Sequence, residues 1–167
     1  LQLVRCHLSV TTLNPELCRL MEPRAAAPEV RLKTISVLSQ ARVPVTVMAS
    51  PIIPGLNDHE IPEILRRASE AGALSAGYIP LRLPGAVAPI FRQWLEEHFP
   101  ERSQKVLKRV QSMRGGKLND SRFHSRFQGE GPVAEHLSRL FELSVRRARL
   151  TQKLPELRLD LFRRTGA

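Results

Sequence analysis

Three short runs in the first half of the chain, residues 3–11, 43–49 and 74–83, alternate apolar and polar side chains with a period of two. Between them lie segments whose apolar residues recur every three or four positions, the period of a helix with one buried face. Strands separated by helices pair in parallel with right-handed crossovers, so this alternation constrains the fold more than any other feature of the sequence. In the first run Val4, Cys6, Leu8 and Val10 share one face while Arg5, His7, Ser9 and Thr11 share the other. The second run sets Val43, Val45 and Val47 against Thr46, Met48 and Ser50. The third sets Ile79, Leu81 and Leu83 against Tyr78 and Arg82.

The helices between the runs carry their own start and stop signals. Asn14 caps a helix with Pro15 at its first position, running towards Met21. Leu32, Ile35 and Leu38 form the buried stripe of a second helix that reaches Gln40. Asp58 is the expected N-cap of a third, whose stripe is Ile61, Ile64, Leu65 and Ala68 and whose stop is Gly72. Pro62 is tolerated there because the first turn of a helix has unpaired N–H groups anyway.

A doubly wound sheet is covered on both sides and should read apolar on both faces. These strands have one apolar face and one that would be costly to bury dry. The pattern therefore fits an open or partial barrel, helices outside and a wet interior that holds a ligand; the alternative is that Arg5 and Arg82 simply face solvent at an edge. From residue 86 onward the chain is helical. Val87, Ile90, Phe91, Trp94 and Leu95 mark one amphipathic helix, Val106, Leu107 and Val110 a second, and Val133, Leu137, Leu140, Phe141 and Val145 a third. Residues 113–132 have no period of either kind, and a stretch of about 20 such residues inside a compact domain is usually functional or mobile. The organisation expected is thus a strand-bearing part over residues 1–85 and a helical extension over residues 86–167.

Charge separates the same two parts. The net charge is +10, with 26 Lys+Arg against 16 Asp+Glu, and residues 101–167 hold 16 of those basic and 7 of those acidic side chains, a net of +9. Concentrated positive charge favours phosphate-rich partners through counterion release; the alternative is a solvated, Arg-rich helical surface. No apolar run approaches the roughly 20 residues of a membrane helix, so a soluble, cytoplasmic protein without membrane association is expected. Two cysteines are too few for a disulfide framework or a tetrahedral zinc site. The five histidines show no metal-ligand spacing, so no metal is expected on this chain.

Four segments occur in a telling order: Ser9-Val-Thr-Thr-Leu-Asn-Pro-Glu-Leu-Cys-Arg-Leu-Met-Glu-Pro-Arg24, Val45-Thr-Val-Met-Ala-Ser-Pro-Ile-Ile-Pro-Gly-Leu-Asn-Asp58, Gly77-Tyr-Ile-Pro-Leu-Arg-Leu-Pro84, and Met113-Arg-Gly-Gly-Lys-Leu-Asn-Asp-Ser-Arg-Phe123 with Arg126. Together they resemble the radical S-adenosylmethionine (radical SAM) superfamily, in the branch of spore photoproduct lyase and the DNA-repair photolyase-like proteins. The resemblance implies an α/β fold, the C-terminal half of a partial (β/α)6 TIM-like barrel followed by the helical extension. It also implies a [4Fe-4S] cluster on a C-x3-C-x2-C loop that cleaves S-adenosylmethionine to a 5′-deoxyadenosyl radical. That loop is absent here. Cys6 and Cys18 lie twelve positions apart, on the helix-facing side of a strand and on a helix, and read as small buried hydrophobes. With Leu1 as first residue, the expectation is a C-terminal portion that needs the N-terminal half of the same protein. A degenerate, non-catalytic nucleic-acid-binding module is the alternative.

By the same resemblance, Ser9 and Thr11 at the first strand end approach the ribose and methionyl part of S-adenosylmethionine, although Thr12 and Asn14 also serve as caps. Arg24 either holds the methionyl carboxylate or pairs with Glu22. Met48 and Ser50 approach the adenine edge. Tyr78 and Arg82 are expected to face the same cavity and contact substrate, Arg82 at a phosphate or in a structural ion pair. Arg114-Gly-Gly-Lys117, Arg122, Phe123, Arg126 and Phe127 interleave cations with aromatics, which suits phosphate contact and base stacking; Lys117, Arg122 and Arg126 are the candidate substrate contacts, unless the two phenylalanines only tether the loop.

Overall fold

The computed structural model describes residues 3–122, 125–150 and 154–160, residues 125 and 126 by backbone alone. Strands β1 (Cys6–Ser9), β2 (Val45–Ile52) and β3 (Ser75–Pro80) form one sheet in the order β1-β2-β3, and both pairings are parallel. Helices α1 (Pro15–Met21) and α2 (Pro28–Gln40) join β1 to β2. Helix α3 (Ile61–Glu70) joins β2 to β3, and α4 (Val87–His98), α5 (Pro100–Ser112), α6 (Ser125–Gln128) and α7 (Pro132–Arg147) follow. Three parallel strands flanked by helices, with a helical extension after them, are consistent with the α/β half-barrel that the resemblance implies and with the alternating patterns.

The cores follow from the strand alternation. Val10, Val45, Val47 and Ala49 are buried with Ile35 of α2, Ile61, Ile64, Leu65 and Ala68 of α3, and Leu137, Phe141 and Val145 of α7. A second cluster gathers Leu17, Ile53, Leu56, Leu81, Leu83 and Leu95 with Val106, Leu107 and Val110 of α5. Each cluster draws on both the strand-bearing part and the helical part. A buried Leu or Ile side chain contributes about 1.5–3 kcal/mol, so α7 adds to the packing of the sheet and α3, while α5 packs on the segments that follow β2 and β3.

Several boundaries differ from the sequence reading. β1 is shorter than residues 3–11 because its pairing with β2 opens at the Cys6 N–H on Pro44 O; Leu3 and Val4 are about half exposed. β2 runs to Ile52 through a register shift between Ala49 and Ile52. Asp58 does not cap α3. Residues 58–60 form a 3₁₀ turn ahead of Ile61, and the Asp58 carboxylate lies 3.9 Å from Arg109. Asn14 caps α1 as expected, accepting from the Glu16 and Leu17 N–H groups. Gly72 ends α3 at φ +97°, a conformation that favours glycine. On α4, Val87 and Ile90 are exposed and only Leu95 is fully buried.

Candidate functional site

Parallel pairing brings the C-terminal ends of all three strands to one side of the sheet. The register aligns Ser9 with Met48 and Met48 with Gly77, and two residues earlier His7 with Thr46 and Thr46 with Ser75. These residues therefore share the face opposite the core. Thr46 and Ser75 are buried, Ser9 is exposed, and Met48 is half-buried. The Met48 side chain lies across Gly77: a Cβ there would stand 2.8 Å from the Met48 sulfur, so the glycine makes room for the Met48 thioether. Ser50 continues the alternation of Thr46 and Met48. Its Oγ is buried and has no hydrogen-bond partner among the described residues. An orphaned buried hydroxyl costs about 1–3 kcal/mol, and in a native site it calls for an explanation such as a ligand.

The mouth of this face is fixed by side chains that bind backbone. Asn57 is fully buried; its Nδ2 donates to Thr11 O (2.8 Å) and Pro51 O (3.0 Å), while its Oδ1 accepts from the Ile53 N–H (2.7 Å). One amide thus ties the loop after β1 to the loop after β2. Glu60 adds a second tie, accepting from the Thr12 hydroxyl and the Leu13 N–H, both at 2.6 Å. Thr11 is buried, with its hydroxyl donated to Ser50 O at 3.1 Å, so it shapes the strand end rather than presenting a free group. Arg24 is exposed, and Glu22 pairs with Arg31 (2.9 Å). Arg31 also donates to Ala26 O (2.8 Å) and Ser9 O (3.1 Å), making it the guanidinium that reaches the end of β1.

Tyr78 departs from the expected face. It aligns with Ala49, on the helix-covered side, and its ring centroid lies 4.5 Å from that of Phe141 on α7. The sequence parity was right but its sign was not, because a tyrosine has an apolar body and a polar tip and suits either side. Ile79 takes the alternate position. Burial pushes the Tyr78 phenol above its ordinary pKa, with a hydrogen bond to Ser138 opposing this. Tyr78 lines a cleft of about 630 Å³ with Phe127, Ser138 and Glu142. Arg82 stacks over Phe127, its Cζ 5.3 Å from the ring centroid.

The loop after α5 is less available to phosphate than its composition suggests. Arg114 is 2% exposed and donates to Leu81 O (3.2 Å) and Pro80 O (3.4 Å), anchoring the end of β3. Burial, and then the neighbouring charge of Arg82, hold its pKa below the usual arginine value. Arg122 is engaged by Asp120 (2.8 Å) and Glu130 (3.0 Å), whose carboxylates push its pKa up. Lys117 is exposed, and the side chain of Arg126 and all of Phe123 lie outside the described residues.

Cys6 is half-buried on the core face and Cys18 is buried on α1. Among the described residues no group of three or more His, Cys, Asp or Glu side chains could hold a metal ion, so these residues do not fit an iron-sulfur cluster. No described helix is long and apolar enough to cross a membrane.

Residues 1–68 match the family model of the Radical SAM superfamily. The match takes in β1, β2 and most of α3, and with them Ser9, Thr11, Arg24, Met48 and Ser50; Tyr78, Arg82, Lys117 and Arg122 lie beyond it. Similar proteins include two uncharacterized proteins of Mycobacterium tuberculosis and one of Mycobacterium bovis, each 30% identical over 100 residues. That stretch is 59% of this chain and 29% of each relative, so the matched part corresponds to less than a third of the mycobacterial proteins. No solved structure matches significantly.

Proposed function

We propose that this chain is the C-terminal portion of a radical SAM enzyme of the spore photoproduct lyase and DNA-repair photolyase-like branch, acting on nucleic acid. The observation that carries the reading is the polar strand face inside the matched residues, where Ser50 Oγ is buried without a partner among the described residues, two positions along β2 from Met48. Ser9, Met48 and Ser50 are the residues that would hold S-adenosylmethionine, with Thr11 and Asn57 fixing the strand ends around it. Arg24 is exposed and within reach of solvent ligands, so the methionyl carboxylate remains its proposed partner. Bound there, S-adenosylmethionine supplies the 5′-deoxyadenosyl group of the superfamily's chemistry. Cluster ligands would come from an N-terminal half, since Cys6 and Cys18 face the core.

Two measurements test this. The chain alone should bind S-adenosylmethionine in a calorimetric titration, and Ser50→Ala should weaken that binding several-fold. The complete protein, reconstituted anaerobically with iron and sulfide, should form 5′-deoxyadenosine when reduced; no such product would refute the chemistry. The placement of both cysteines favours a second reading, a non-catalytic nucleic-acid-binding module on a degenerate half-barrel. A coding sequence with no C-x3-C-x2-C upstream, together with nucleic-acid binding but no S-adenosylmethionine binding, would decide for it.

A further inference from the structure

The rotation of α5 is fixed by its buried residues. Ser103, Val106, Leu107 and Val110 face the core, which turns Arg102, Gln104, Lys105, Lys108 and Ser112 outward. Arg102, Lys105 and Lys108 make no ion pair among the described residues, in contrast to Arg66, Arg67 and Arg122, which are all paired with carboxylates. Beside Lys105 and Lys108 the one acidic side chain is Glu101, in the first turn, where it complements the helix dipole; Arg102, at the edge of the face, lines a neighbouring cleft with Glu16 and Glu60. Lys105, Lys108 and Arg109 line a shallow groove of about 500 Å³ with Gln104, Ser112 and Glu101.

The position of the groove matters as much as its charge. A Cβ on Gly55 would stand 2.8 Å from Arg109 Nη1, so the Arg109 side chain lies across the loop after β2. The basic face of α5 therefore begins beside the C-terminal ends of the strands. From Arg102 to Lys108 the helix advances about 9 Å, which is the axial rise of roughly three phosphates on one strand of a duplex.

We propose that this outer face of α5 docks the phosphate backbone of double-stranded nucleic acid. The proposal deepens the nucleic-acid part of the functional reading and is independent of its radical chemistry. A lipid surface is disfavoured because membrane-lying helices place apolar side chains beside their cations, whereas the apolar residues of α5 are buried. A single strand is disfavoured because such sites use aromatic stacking platforms, and the groove holds none. What remains is cations, an amide and a hydroxyl, suited to backbone contact without base readout.

Fluorescence anisotropy of the full chain with short labelled duplexes tests the idea, using separate DNA and RNA arms to identify the source of the phosphates. The variant is Arg102→Ala/Lys105→Ala/Lys108→Ala. Its control is Arg19→Ala/Lys33→Ala/Arg146→Ala, which removes equal charge from exposed sites elsewhere, and circular dichroism checks that both remain folded. The α5 variant should lower affinity at least about tenfold and reduce the slope of log K against log salt by about one per cation, while the control changes neither by more than a third of that. Equal losses in the two variants, no duplex binding by the unmodified chain, tighter binding to a single strand, or preference for phosphatidylserine vesicles would each overturn it. Because 5′-deoxyadenosine formation is read separately, failure here and failure of the radical reading are distinguishable.

Discussion

Replacing Asn57 by alanine should be among the most damaging single changes in the strand-bearing part, and its cost can be worked from three bonds. The substitution leaves the buried Ile53 N–H without an acceptor and removes one donor each from Thr11 O and Pro51 O. An orphaned buried N–H costs about 1–3 kcal/mol. A carbonyl has two lone pairs and tolerates the loss better, at about 0.5–1 kcal/mol each. The sum is about 3 kcal/mol, a large share of the about 5–15 kcal/mol by which domains are stable. Urea unfolding of the full chain, followed by Trp94 fluorescence and circular dichroism, measures it as a lowered midpoint at constant m-value. Asn57→Asp sharpens the test. It keeps the acceptor for Ile53 but sets a second oxygen against two carbonyls, so it should be no better than alanine. A loss below about 1 kcal/mol for Asn57→Ala, or wild-type stability for Asn57→Asp, would show that this amide does not join the two strand-end loops.

Tyr78 is the only tyrosine, so an alkaline absorbance titration reports it alone. Its folded pKa is raised by burial, so its neutral form stabilises the fold below the unfolded value of about 10 and that contribution is lost as pH rises through the folded value. The titration midpoint should lie above 10, and stability should fall more steeply in this range than in Tyr78→Phe; equal slopes would refute the assigned environment. Gly77→Ala forces the flexible Met48 thioether aside, at about 1 kcal/mol, while the alanine recovers about 0.5–1 kcal/mol of strand preference. Stability should therefore stay nearly unchanged while displacement of the Met48 side chain weakens S-adenosylmethionine binding. Unaltered binding in Gly77→Ala would remove the Met48–Gly77 contact from the proposed site.

What could be read from the sequence was whatever a binary pattern encodes. Apolar alternation placed three parallel strands and their crossover helices, and the i, i+3, i+4 stripes of α3 and α5 are buried throughout, while in α7 Leu137, Phe141 and Val145 are buried and Val133 and Leu140 half-buried. The pattern failed where contrast was missing. The interior of β3, from Ala76 to Ile79, is uniformly half-buried, so nothing local told Tyr78 from Ile79. Its actual neighbour, Phe141, lies 63 positions onward. The anchoring roles of Asn57, Arg31 and Arg114 were missed for another reason: each binds backbone carbonyls, and every residue carries a carbonyl, so no partner stands out in a sequence.

The same blindness governs the reading of charge. A count credits Arg114 and Arg122 equally with Lys105 and Lys108, and on that basis residues 113–132 looked like the phosphate-binding segment. Burial of Arg114 under the end of β3 takes it from that account, and the two carboxylates around the exposed Arg122 offset its charge, which lowers the counterion release it would contribute at a phosphate. On α5 the inference runs the other way. Val106, Leu107 and Val110 were legible as a buried stripe, and on a helix a buried stripe dictates what stands opposite it. The cations that a nucleic acid could meet are therefore those whose positions the hydrophobic pattern had already fixed, and salt dependence should track Arg102, Lys105 and Lys108 rather than total basic charge.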